Sequence, residues 1–343
     1  MKKIGNTMYV NTPNSYLSLD GENIILSQKD QDDRRYPLHN LEGIVTFGYA
    51  GASPALMGYC AEKGINLTFM TAHGRFLARV VGEKYGNVLL RKEQYRISDS
   101  EERSLFVSKN MIIGKIYNSK SVVDRACRDY PLRIDVERLK KTSQNLKNAT
   151  KFVKEANSLE QLLGFEGEAA TQYFGVFDDL ILQQKETFKF SGRNKRPPLD
   201  AVNALLSFSY SLLAKEVSAA SEAVGLDPYV GFLHRDRPGR TSLALDLMEE
   251  LRAPFADRFV LSLINKKMVN IKGFTTMENG AVIMDEDTRK NVLRAWQEKK
   301  KDEIKHPFLE EKMEWGLIPH VQAMLLARYI RGDLDNYPPF LWK

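Results

Sequence analysis

Short runs of alternating apolar and polar residues fill the first part of the chain. Met8-Tyr9-Val10, Tyr16-Leu17-Ser18-Leu19 and Asn23-Ile24-Ile25-Leu26 are strand-length segments, and Asp20-Gly21 between the last two is a hairpin signal. Leu41 to Phe47 and Asn66 to Met70 supply two further strands. Between them Ser53 is placed to cap a helix that has Pro54 at its first position and runs through Leu56, Met57, Tyr59 and Cys60 to Gly64. His73-Gly74 reads as a turn into a segment from Arg75 to Val81. After Gly86 the apolar period changes to that of a helix, with segments predicted near 88–97, 101–126, 134–155, 165–188, 200–224, 240–268, 287–304 and 318–331. A hairpin around Gly273 and Asn279-Gly280 is expected at 269–284, and the tail from Tyr337 to Trp342 is non-helical. The fold class that follows is α+β, a small β-rich N-terminal domain over 1–85 and a larger α-helical domain over 86–343.

Composition narrows the picture without deciding it. The 343 residues suit two domains at roughly 150 each, and 43% apolar with 27% charged residues describes a chain that packs cores and is not disordered. No apolar run approaches the roughly 20 residues of a membrane span, so no membrane association is expected. Met1-Lys2-Lys3 is not followed by the apolar stretch of a secretory signal. Cys60 and Cys127 have no partner in a zinc or disulfide spacing, are expected as small buried groups, and agree with a cytoplasmic location. The net charge of +6 is modest, but its distribution is uneven. Lys185, Lys189, Arg193, Lys195 and Arg196 oppose a single Glu186, and Arg235, Arg237 and Arg240 crowd behind His234.

Two segments carry candidate chemistry. On a helix at about 100° per residue, Ala170, Tyr173, Phe177 and Ile181 share the face of Glu166, while Glu168 points away. A carboxylate on an apolar stripe is costly unless it is paired, protonated or bound to a metal. The same carboxylate also suits a helix N-terminus, where the dipole favours it. The second segment runs from Gly231 through Leu233-His234 and the Pro238-Gly239 turn to a helix that Thr241 or Ser242 can cap. Leu243, Ala244, Leu247, Met248 and Leu251 share one face of that helix. Asp246 and Glu249 stand one turn apart on the other, which alone reads as a solvated acidic face, and a lone loop histidine reads as a structural hydrogen bonder. Acids, an imidazole and neighbouring cations together suit phosphodiester transfer. Carboxylate oxygens favour Mg²⁺ or Mn²⁺, an imidazole tilts the choice towards Mn²⁺, and Arg and Lys can hold flanking phosphates.

At these residues the sequence resembles the CRISPR-associated adaptation integrase-endonuclease (the "Cas one" family), most of all its subtype I-C branch. The resemblance spans essentially the whole chain: Asn6 to Val10, Pro37 to Glu42, Arg196 to Ser207, Gly231 to Arg252 and the Tyr337–Trp342 ending, with Phe165-Glu166-Gly167, Leu233-His234 and Asp246-Leu247-Met248-Glu249 as its specific parts. It implies that Glu166, His234 and Glu249 are the catalytic metal ligands and that Asp246 supports them. It also implies a homodimer formed through the β domain, a complex with the second adaptation protein, and double-stranded DNA as substrate. The implied reaction is attack of a fragment's 3′ hydroxyl on a phosphodiester at the repeat border. Lys185, Lys189, Arg193, Lys195, Arg196, Arg237, Arg240 and Arg252 are then candidate phosphate contacts. An ion pair with Glu249 is an equally natural role for Arg252, and a buried structural hydrogen bond is one for Asn203.

Two other classes compete. A non-catalytic DNA-binding scaffold of the same fold would use the acids structurally, and a metal-dependent hydrolase of a small phosphate ester would need a closed pocket and no salt-sensitive DNA affinity.

Overall fold

Nine successive elements build the N-terminal part of this computed structural model: β1 (Thr7–Val10), β2 (Tyr16–Asp20), β3 (Asn23–Gln28), β4 (Gln31–Pro37), β5 (Gly43–Phe47), β6 (Gly51–Ala52), α1 (Pro54–Lys63), β7 (Asn66–Met70) and β8 (Phe76–Arg79). The structure describes residues 7–342 apart from 11, 13, 30, 42, 49, 50, 72–75 and 83–87. The expected His73-Gly74 turn therefore lies outside the described residues.

The strands form two four-stranded sheets, ordered β1-β5-β7-β8 and β4-β3-β2-β6. β2 and β3 pair antiparallel with Asp20 opposite Asn23, and Gly21 turns between them at φ 59°, where an L side chain is strained. β5 and β7 run parallel, which requires a crossover, and α1 supplies it. Ser53 Oγ accepts from the Leu56 N–H at 3.2 Å, capping α1 as its sequence predicts. Leu17, Ile24, Ile44, Leu56, Cys60 and Leu67 meet in one core. Cys127, expected to be buried, is only partly so. β4 was not expected: all seven of its residues are exposed, so it carries no alternation to read.

The chain divides into two units. The first comprises Met1–Tyr85, Met284–Asp302 and Glu314–Leu317, and the second Gly86–Ile283, Glu303–Met313 and Ile318–Lys343. The sequence reading kept all of 86–343 together. The difference arises from a helix over Glu286–Lys300, which buries Val292, Leu293 and Trp296 and lays Arg289 over the Phe47 ring at 5.5 Å.

Helices dominate the second unit: α2 (Val88–Asp99), α3 (Glu101–Asp129), α4 (Val136–Glu155), α5 (Leu159–Gly175), α6 (Ala201–Ala223), α7 (Ser242–Leu251) and α8 (Arg258–Asn265). Two short strand pairs follow, β9 (Phe274–Thr276) with β10 (Val282–Met284) and β11 (Glu303–Lys305) with β12 (Lys312–Glu314). The first is the expected hairpin, and the second, three residues a strand, was not foreseen. In chain order Glu286–Lys300 is α9 and Ile318–Ile330 is α10. The long α3 packs against α4, α5 and α7.

Two helix boundaries differ from expectation in ways that matter for the site. α5 begins at Leu159 with Ser158 as its cap, so Glu166 is mid-helix and not at an N-terminus; Glu160 is the first-turn acid. The segment expected as one helix over 240–268 is broken by a π-helical turn at Arg252–Asp257, which contains Pro254. A proline cannot donate the bond that an α-helix requires there. Among the described residues no helix is long and apolar enough to cross a membrane. The fold is mixed α+β, a β-rich N-terminal region followed by a helical domain.

Candidate metal centre

Everything in the candidate centre belongs to the second unit. α7 is buried on all sides, and its three acids Asp246, Glu249 and Glu250 are 0%, 4% and 0% exposed. The expected solvated acidic face is thus a buried one, because α3, α6 and the C-terminal tail surround it. Each acid must then find compensation, and each finds a different kind.

Asp246 holds the histidine loop. Its Oδ2 accepts the N–H groups of Phe232 (2.6 Å) and Leu233 (3.0 Å), and its Oδ1 accepts the His234 N–H (3.0 Å). His234 Nδ1 lies 2.5 Å from the same Oδ1. The imidazole is therefore fixed through Nδ1, which leaves Nε2 to face a ligand, an arrangement that carboxylates commonly impose on metal-binding histidines. Gly231 makes the close approach possible: a Cβ there would stand 2.7 Å from Asp246 Oδ2 and 2.9 Å from the Ser242 backbone. Gln94 of α2 brackets the preceding turn, donating to the carbonyls of Asp227 and Val230 at 2.8 Å each and accepting the Asp227 N–H at 2.9 Å. Thr241 precedes α7 without a side-chain cap bond, and Ser242 Oγ instead receives Arg240 Nε at 3.2 Å.

Glu249 is compensated by charge. Its Oε1 pairs with Arg252 Nη2 at 3.0 Å, and its Oε2 stands 2.7 Å from Lys115 Nζ. That Oε2 is buried, and the ammonium is in contact with it. Burial works to raise the Glu249 carboxyl, but Arg252, Lys115 and His234 outweigh it and hold the group below the usual carboxylate range. The same Lys115 Nζ pairs with Glu166 Oε1. Glu166 and Glu249, from α5 and α7, thus converge on one cation supplied by α3.

Lys115 escaped the sequence reading, although the signal was present. Met111, Ile112 and Ser119 lie three or four residues from it on a helix, and Ile116, Asn118 and Val122 are buried near it. A lysine on a core-facing stripe calls for a partner by the reasoning that singled out Glu166.

The donor set fits a hard divalent ion, with two carboxylates facing a shared cationic point and an imidazole oriented by its own acid. Among the described residues no three of the His, Cys, Asp and Glu side chains close on a single point. The structure brings Glu166 and Glu249 together around Lys115 and sets His234 within electrostatic reach of Glu249.

The predicted phosphate contacts divide into two groups. Lys185, Lys189, Lys195, Arg196 and Arg237 are exposed. Lys195 lies within electrostatic reach of Arg252, Glu249, Arg193 and Lys115, and lost hydration, then repulsion from Arg252, lowers its ammonium pKa. Arg193, Arg240 and Arg252 face the protein. Arg193 binds Asn203 Oδ1 (2.7 Å) and Ser207 Oγ (3.1 Å) and stacks on Tyr210. Arg240 donates to the Arg235 carbonyl. Arg252, 16% exposed, makes the ion pair with Glu249 and lies 5.0 Å from the Tyr210 ring centre. Asn203 is fully buried and has the structural role, donating to the Gly192 carbonyl and accepting from the Asn194 N–H.

With the geometry in place, comparison identifies the family. The profile described as CRISPR associated protein Cas1 matches residues 8–298. The chain is 49% identical over 343 residues to CRISPR-associated endonuclease Cas1 1 of Chlorobaculum tepidum, covering 100% of both. It is 47% identical over 347 residues to CRISPR-associated endonuclease Cas1 2 of Rhodospirillum rubrum, again covering 100% of both. Its fold matches that of a casposase bound to integration product with a TM-score of 0.84 at 22% identity, over 98% of this chain and 94% of the other. The chain belongs to the Cas1 family of CRISPR-associated endonucleases.

Proposed function

We propose that this chain is a metal-dependent integrase and endonuclease of CRISPR adaptation. It joins the 3′-hydroxyl ends of short DNA fragments to the borders of a CRISPR repeat by transesterification. Glu166, Glu249 and His234 Nε2 would hold Mg²⁺ or Mn²⁺. Such an ion polarises the scissile phosphate, stabilises its developing charge and makes a hydroxyl a better nucleophile. The protein contributes position. Asp246 fixes the imidazole tautomer, Arg252 orients Glu249 while stacked on Tyr210, and Asp246 and Glu249 are buried while Glu166 stays partly open. The exposed Lys185, Lys189, Lys195, Arg196 and Arg237 would hold DNA phosphates, giving affinity without sequence readout. The casposase sharing this fold was solved with an integration product, and the proposed reaction is of that class.

The observation that carries the reading is the convergence of two carboxylates from separate helices on one cation. The same ion pairs favour a second reading, a DNA-binding scaffold in which Lys115 satisfies the acids permanently. The experiment that separates them combines the protein, the second adaptation protein, a duplex with free 3′ ends, a supercoiled CRISPR plasmid and Mn²⁺. Joined product that vanishes on chelation and in Glu249→Ala supports the integrase; equal product from the variant favours the scaffold. Homodimerisation through the β-rich region, assembly with the second adaptation protein and membership of the subtype I-C branch complete the proposal.

A further inference from the structure

Lys115 occupies the point on which the acids converge. Its Nζ lies 2.7 Å from Glu249 Oε2 and pairs with Glu166 Oε1, and its side chain is only 13% exposed. The backbone beneath it is firmly placed. Gly114 lets α7 approach so closely that a Cβ would stand 3.0 Å from Glu250 Cβ, and Asn118 Nδ2 donates to the Glu250 carbonyl at 2.6 Å. The ammonium itself is tethered only by a flexible four-carbon stem and makes point-charge contacts without a fixed fork. It also borders a small, mostly apolar cavity of about 20 Å³ together with Ser119, Ala169, Tyr173, Tyr210 and Arg252.

A divalent ion taking the same two carboxylate oxygens cannot share them with an ammonium at this range, because the two cations would repel at contact distance. We infer that Lys115 is a resident counter-cation that competes with the divalent ion for Glu166 and Glu249. It holds the two acids close together, sets the ion's affinity below what the bare acids would give, and leaves both carboxylates when the ion binds. Lys115 is thus a positioning residue for the ion. The inference rests on the metal reading of the site.

Mn²⁺ binding to the full-length protein, followed by electron paramagnetic resonance of the free ion at constant pH, tests it without reference to catalysis. Lys115→Gln is expected to bind Mn²⁺ at least about tenfold more tightly than the unaltered protein. Its thermal midpoint is expected to be lower without the ion and to recover more on adding it. Lys115→Arg keeps the charge and is expected to bind no more tightly than the unaltered protein, which provides a second reading should Lys115→Gln fold poorly. Glu249→Gln is expected to abolish the site. Binding lost in Glu249→Gln but not strengthened in Lys115→Gln, or strengthened equally in Lys115→Arg, overturns the competition alone. Binding indifferent to Glu249→Gln overturns the metal reading and the competition with it.

Discussion

Glu249 and Glu250 are neighbours on α7, equally buried, and face opposite environments. Glu250 is saturated by hydrogen bonds: Oε1 accepts from Gln322 Nε2 at 2.8 Å and from the Tyr337 hydroxyl, and Oε2 accepts the Phe340 N–H at 2.8 Å. Burial pushes its carboxyl up to about 7 against these donors. Glu249 has two cations, one on each carboxylate oxygen, and a carboxyl held low. The contrast teaches what distinguishes a structural acid from a site acid when both are buried. The first is closed by directional bonds from its own fold, and the second is neutralised by the charges of Lys115 and Arg252.

The largest expected effect breaks this contrast on its chemical side. Glu249→Gln should lower DNA joining by on the order of a thousandfold, since an amide cannot supply the anionic ligand. Glu250→Gln should stay within a few-fold in the same assay, because its amide oxygen still accepts from Gln322 and Tyr337 and only the Phe340 N–H loses its acceptor. Comparable losses in both variants would erase the distinction. The structural side is tested by Glu250→Ala, which strands Gln322, Tyr337 and the Phe340 N–H and should cost about 3 kcal/mol in denaturant unfolding. A cost below about 1 kcal/mol would mean that the tail is not closed on α7 as described.

The sequence made part of this contrast legible. Glu166 was recognisable because Ala170 and Tyr173 repeat on its face, and the helices of the second unit were recognisable by their period. The burial of Glu250 was not, since its partners come from Asn118 on α3 and from Tyr337 and Phe340 in the tail, nor was that of Glu249, whose ammonium partner Lys115 lies on α3. Local spacing carries no record of contacts so distant along the chain. Exposed β4 lacked alternation, and the π turn at Arg252–Asp257 interrupts a stretch whose apolar pattern runs on without a break. Lys115 was readable in principle, by the same stripe argument applied to a base.

Smaller effects sharpen the account. Asp246→Asn should weaken Mn²⁺ binding by roughly 10- to 100-fold, because the imidazole loses its orienting carboxylate; unchanged affinity would show that His234 needs no such support. Asp257, which accepts the Tyr210 hydroxyl at 2.6 Å, has its carboxyl raised by burial to about 6. The folded state therefore keeps this proton to higher pH than the unfolded chain, and the stability it contributes falls as pH rises from about 4 to 6. Asp257→Asn removes that loss, so its stability relative to the unaltered protein should rise by about 2 kcal/mol between about pH 4.5 and pH 6.5 in urea titrations. A flat difference would contradict the assignment.

The most direct measurement is anomalous diffraction from crystals soaked in Mn²⁺. The account predicts one peak bound by Glu166, Glu249 and His234 Nε2, with the Lys115 ammonium moved off both carboxylates. A peak elsewhere, or none while Lys115 still bridges the acids at saturating Mn²⁺, would contradict it.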